Sequence, residues 1–166
     1  MIEDVVRNFG FLCLGTRMKR IGERLQADTQ AMIDEMGFGI GVSQFPFLAA
    51  VDRLGRLTIG ELAEALGISQ PGVTRSVALL IEAGLLTSEQ SSGDQRQKIV
   101  GLTPKGRQLV EHSKQNVWPR IERAVADLCG GLEGPLLEQL GAIEDGLDAV
   151  PLGKRLAPPA NKRVLR

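Results

Sequence analysis

From Ile2 to Met36 apolar residues recur at helical spacing, with Val5, Val6, Phe9, Leu12 and Cys13 followed by Ile21, Leu25, Met32 and Ile33. The spacing predicts one long helix over 2–36, loosened at Gly10, Gly15 and Gly22. Gly37, Gly39 and Gly41 then crowd a stretch that cannot continue it, because each glycine costs a helix about 1 kcal/mol relative to alanine. Ser43 reads as the cap of a second helix, with Pro46 in its first turn and Phe45, Leu48, Ala49, Val51 and Leu54 as its buried stripe.

Thr58 and Glu61 form a capping-box pattern, which predicts a third helix running to Gly67. Ser69 and Pro71 open a fourth, and Gly84 closes it. Runs 85–90 and 96–102 flank a polar turn and alternate Lys98, Val100 and Leu102 against Ile99 and Gly101, which predicts a two-stranded hairpin. Thr103 and Pro104 start a long helix carrying Leu109, Val110, Val117, Ile121, Val125 and Leu128, kinked at Pro119. A last helix spans 132–150, and the aperiodic 151–166 reads as a basic, flexible tail.

The predicted fold is mainly α with a small β-hairpin. Its 166 residues suit one unit over 1–150, with 58–102 as a winged helix-turn-helix lobe and 2–36 and 104–150 as flanking helices. Lysine plus arginine number 20 and aspartate plus glutamate number 20, so a nucleic-acid footprint has to be local. Lys154, Arg155, Lys162, Arg163 and Arg166 concentrate positive charge in the tail, where no acid occurs. Cys13 and Cys129 are far apart and suggest neither a disulfide framework nor a zinc site, in keeping with a reducing cytoplasm. No apolar run is long enough to span a membrane, and a cytoplasmic protein is expected.

Residues 59–78 place small or apolar side chains where two helices of a helix-turn-helix must touch. Ala63 keeps the helices close, Gly67 frees the turn, and Leu62, Leu66, Val73 and Val77 pack between them. On a helical wheel Val73, Val77 and Leu80 share one face, which leaves Pro71, Gly72, Thr74, Arg75 and Ala78 on the other. That second face suits the major groove of double-stranded DNA. Arg75 can contact guanine or phosphate, Thr74 a base or a thymine methyl, and Ser69 and Gln70 base edges or backbone, while Gly72 permits close approach.

After this motif come Asp94, Arg96, Val100, Leu102, Thr103 and Gly106, an Asp-x-Arg followed by an apolar strand and Leu-Thr-x-x-Gly. In these residues the chain resembles the MarR family of transcriptional regulators, and the resemblance extends over 2–150. It implies a homodimer whose terminal helices interlock, a wing structured by Asp94, and Arg96 in the minor groove. Lys98 is placed to meet an adjacent phosphate. The resemblance also implies a repressor that binds a pseudo-palindromic operator and responds to a small aromatic or phenolic effector. Arg17, Arg20, Phe45, Phe47 and Trp118 are candidates for the effector site by their expected neighbourhood.

Two other readings are a winged-helix protein-interaction module without DNA affinity and a redox-sensing regulator built on Cys13. That cysteine is placed better for packing in an apolar stripe than for thiol chemistry, and the chain has no tyrosine to hydrogen-bond it. His112 is the sole histidine, so no metal site is expected. No motif for phosphate cradling, nucleophile activation or zinc hydrolysis occurs, which predicts a chain without enzymatic activity or cofactor.

Overall fold

Thr58 shows how strongly local signals set this fold. Its hydroxyl accepts the Glu61 N–H at 3.2 Å, and its own N–H donates to Glu61 Oε2 at 2.7 Å, so the predicted capping box forms. The bonds from the Thr58 backbone and hydroxyl hold the Glu61 carboxyl below its ordinary value of 4.5. A carboxyl lowered by folding stabilises the native state above its unfolded value and loses that contribution as pH falls through the folded one. Thr58→Ala is therefore expected to lower the melting temperature by about 3 °C at neutral pH. The difference from the wild type should shrink in melts recorded below about pH 4.

The computed structural model describes residues 2–35, 37, 39–90 and 98–155. Asp94, Arg96 and the tail from residue 156 onward lie outside the described residues. Two compact units make up the chain, 1–122 and 123–166, whereas the sequence pattern places the boundary near 150.

In the first unit, helix α1 (Val5–Asn8) is followed by a 3-10 turn (Gly10–Cys13) and then by the long α2 (Leu14–Glu35). The continuous helix predicted over 2–36 is thus broken, and the cause is Gly10, whose φ of 55° is left-handed. Arg20 reaches back from α2 to Asp4 with two bonds of 3.1 and 2.9 Å and secures the short helix. A second correction concerns the next helix, α3 (Phe45–Leu54), which is entered through a 3-10 turn (Val42–Gln44). Ser43 lies inside that turn and is not the helix cap. Gln44 takes the cap position of α3 without a side-chain capping bond, and its side chain accepts the Gly41 N–H at 3.1 Å across the 3-10 turn.

Strand β1 (Leu57–Thr58) leads into α4 (Ile59–Leu66), α5 (Gln70–Glu82), β2 (Leu86–Gln90) and β3 (Lys98–Leu102). The hairpin is antiparallel, as predicted, with Leu86 opposite Leu102 and Gln90 opposite Lys98. It belongs to a three-stranded sheet of order β1-β3-β2, in which Leu57 pairs with Val100. Sequence periodicity cannot show a strand of two residues, because the period itself needs about four.

Helix α6 (Pro104–Asn116) follows a Thr103 cap that accepts the Gly106 N–H at 3.0 Å. Helix α7 begins at Trp118 and runs to Cys129, so the single kinked helix predicted here is two helices. The break falls at Val117, with φ −104° and ψ −58°. Pro119 has no N–H to offer the carbonyl four residues back, and the ladder is interrupted at the preceding turn.

The core of this unit gathers Ile33, Leu48, Leu62, Val73, Leu80, Leu86, Val100, Val110 and Val117, all essentially inaccessible. Helices α2 to α6 and the sheet each contribute buried apolar residues, the arrangement that the binary pattern anticipates.

In the second unit α8 (Leu136–Ala149) is shorter than the predicted 132–150, since Gly134 has φ 81° and Pro135 occupies the cap position. After α8 the chain forms a 3-10 turn (Leu152–Lys154). Arg155 bonds the Val150 carbonyl at 2.7 Å and also bonds the Gly146 carbonyl. Arg155, within the segment predicted as a flexible tail, therefore closes off a helix C-terminus, where cations are favoured.

Candidate nucleic-acid interface

Helices α4 and α5 are joined by a turn of three residues, Gly67, Ile68 and Ser69, in which Gly67 adopts φ 64°. A left-handed residue ends α4 at once, and the Ile68 N–H returns to the Ala63 carbonyl at 3.1 Å. Ala63 is buried at the crossing. A longer side chain there would separate the helices and tilt α5 relative to the sheet.

Helix α5 divides into the two predicted faces. Val73, Val77 and Leu80 are buried, whereas Pro71, Gly72, Thr74, Arg75 and Ala78 are exposed. Arg75 has no hydrogen-bond or ion-pair partner among the described residues, so its planar fork projects uncommitted from the exposed face. Thr74 is more constrained than its sequence position suggests, because its hydroxyl donates to the Gln70 carbonyl at 2.9 Å. What it offers a partner is an acceptor lone pair and a methyl group. Ser69 occupies the N-cap position with extended φ and ψ but makes no capping bond. Its hydroxyl oxygen lies 3.4 Å from where a Gly72 Cβ would be, so the first turn presents little bulk. The Gln70 amide lies over Gly60, 3.5 Å from the position of a Cβ there, which seats it between the starts of the two helices.

Lys98 is exposed at the outermost described rung of the hairpin, opposite Gln90. The structure therefore brings Ser69, Gln70, Gly72, Thr74 and Arg75 together on one helix face and puts Lys98 on the hairpin. Asp94 and Arg96 are outside the described residues.

The predicted effector residues are distributed differently. Phe45 and Phe47 are core residues, Trp118 packs against the core, and Arg20 is engaged by Asp4. Arg17 is half-buried on α2. An open groove of about 630 Å³ lies elsewhere in the first unit, floored by Ile40, Leu85 and Leu109 and rimmed by Lys105, Gln108 and His112. Its polar members recur at one face of α6, a spacing visible in the sequence once that helix is drawn as a wheel. Lys105 also donates to the Ala83 carbonyl at 2.9 Å, the residue that ends α5. Cys13 and Cys129 are half-buried free thiols. No group of histidine, cysteine or acidic residues suited to a metal occurs among the described residues. None of the described helices is long and apolar enough to cross a membrane.

The order helix, strand, two crossed helices and hairpin, with an exposed face on the second helix, is what the sequence motifs require of a winged helix. Over residues 38–97 the chain matches the model of the MarR family. Solved MarR-type structures superpose well beyond that segment. A mutant E. coli MarR complexed with operator DNA has a TM-score of 0.67 at 20% identity, covering 89% of this chain and 99% of its own. The S. aureus MepR–DNA complex gives 0.65 at 22% identity, with 82% and 96% covered. Bordetella bronchiseptica BpsR, described with a mechanism for regulation of its DNA binding by 6-hydroxynicotinic acid, gives 0.62 at 24% identity, with 82% and 91% covered. At such identities these likenesses establish the MarR fold.

Proposed function

We propose that the chain is a homodimeric, sequence-specific DNA-binding transcriptional regulator without enzymatic activity, a repressor released by a small ligand. The observation that carries this reading is α5, whose buried stripe fixes the helix in the lobe and whose opposite face holds Arg75 uncommitted beside small residues. A groove-reading helix needs that combination of rigid seating, low bulk and a planar donor. The matching folds of E. coli MarR and S. aureus MepR are both described bound to DNA, which supports the same use here. Arg96 and Lys98 would add minor-groove and phosphate contacts from the wing.

Dimerisation draws support from the terminal segments. Phe11 and Leu12 in the first unit are 93% and 82% exposed, and Leu137 in the second is 82% exposed. Apolar surface of this kind is typical of an interface. The effector is a small aromatic or phenolic compound. Of the candidate seats, the groove rimmed by Lys105 and His112 fits better than the buried Phe45 and Phe47. A twofold dimer predicts half-sites one DNA turn apart, roughly 34 Å. Selection of bound duplexes from a random library, followed by footprinting, tests this: paired half-sites at that spacing are expected, and no enriched sequence would refute the reading.

A further inference from the structure

Arg56 and Glu89 form an ion pair of 2.5 Å across the face of the sheet that does not carry Val100 and Leu86. The register explains how they meet. Leu57 pairs with Val100 and Thr58 with Ile99, so Arg56, just before β1, stands at the level of Gly101, which is itself opposite Thr87. To reach β2 the Arg56 side chain must cross two strand spacings, roughly 9.5 Å. It can do so because β3 has a glycine in its path. A Cβ on Gly101 would lie 3.3 Å from Arg56 Cγ and 3.7 Å from Nε, and Gly101 is buried although it belongs to a face open to solvent. An interior strand glycine often marks a close approach of this type.

The pair is half exposed, at 55% and 61% of the side chains, so its contribution to global stability is small. Its position gives it a different use. Glu89 is opposite Ile99, one rung below the outermost described pair, Gln90 and Lys98. A bond at that rung anchors β2 directly to the residue preceding β1 and α4. We propose that Arg56 and Glu89 form a clip that fixes the pitch of the hairpin against the helix-turn-helix, making Arg56 a positioning residue for DNA binding. The proposal rests on the DNA-binding reading for its consequence but not for its geometry, and the two can be tested apart.

Three full-length variants suffice: Arg56→Met, which keeps the stem over Gly101, Glu89→Ala, and the reciprocal exchange Arg56→Glu with Glu89→Arg. Hydrogen exchange of the β2 and β3 amides should quicken at the outer rungs in both single variants and return to the wild-type rate in the exchange, with melting temperatures unchanged. Duplex affinity should fall about fivefold in each single variant, the upper limit for an exposed pair, and recover in the exchange. The salt dependence should keep its slope in Arg56→Met. Unaltered amide exchange, tighter binding by Glu89→Ala, a slope reduced by about one in Arg56→Met as for a lost phosphate contact, or no recovery on exchange would each overturn the clip. If the wild type binds no duplex, the functional reading fails while the amide exchange still decides whether the clip exists.

Discussion

Gly106→Ala is expected to cost about 3 kcal/mol of folding stability, the upper end of what overpacking costs. An added Cβ would stand 2.1 Å from the Leu85 carbonyl oxygen and 3.1 Å from Leu102 Cδ2. The first contact is with backbone, which cannot rotate away as a side-chain tip would. That backbone is also committed elsewhere, because the Leu85 carbonyl accepts the Thr103 N–H at 3.1 Å and the Thr103 hydroxyl donates to the Gly84 carbonyl at 2.7 Å. Helix α6 is thus held against the link between α5 and β2, and the glycine lets the chains close. Urea denaturation of the variant measures the cost. A loss below about 1 kcal/mol, the ordinary cost of a point substitution, would mean that this junction is looser than its geometry indicates.

Arg75→Ala is expected to weaken binding to the preferred duplex by about ten- to a hundredfold, the range for a bidentate base contact. Folding should be unaffected, since the side chain is exposed and no partner among the described residues depends on it. Binding to an unrelated duplex should fall much less, because phosphate contacts persist there. Arg75→Lys should restore only part of the affinity, as an ammonium cannot reproduce the planar fork. Equal losses on preferred and unrelated DNA would reassign Arg75 from reading bases to binding backbone.

The helix-turn-helix is legible in the sequence because its determinants are local. Thr58 with Glu61, Gly67 at φ 64°, Gly84 at φ 70° and Thr103 before Pro104 each act within a few residues, and each performs the role its sequence position suggests. The two faces of α5 are legible for the same reason. Ser69 marks the limit of such reasoning, since residue type gives the cap position but not where the hydroxyl points.

What escapes the pattern depends on contacts distant in sequence. Strand β1 exists only because Leu57 and Thr58 find β3 some forty residues later. Arg56 and Glu89 are 33 residues apart, and Gly101, which lets them meet, reads from sequence as one more weak strand position. The interruptions at Gly10 and Val117 were hidden by apolar residues that keep helical spacing on both sides of each break. Phe45 and Phe47 follow a similar logic: neighbourhood in the chain places them near a binding region, but packing takes both into the core.

The central claim, that this lobe binds duplex DNA through a local positive surface on a chain of zero net charge, is tested most directly by a salt titration. Fluorescence anisotropy of the wild type with a selected duplex should show log K falling linearly with log salt, by about 0.9 for each phosphate neutralised. Duplex binding that is absent at low salt, or that does not change with salt, would contradict the account and favour a winged helix that binds protein.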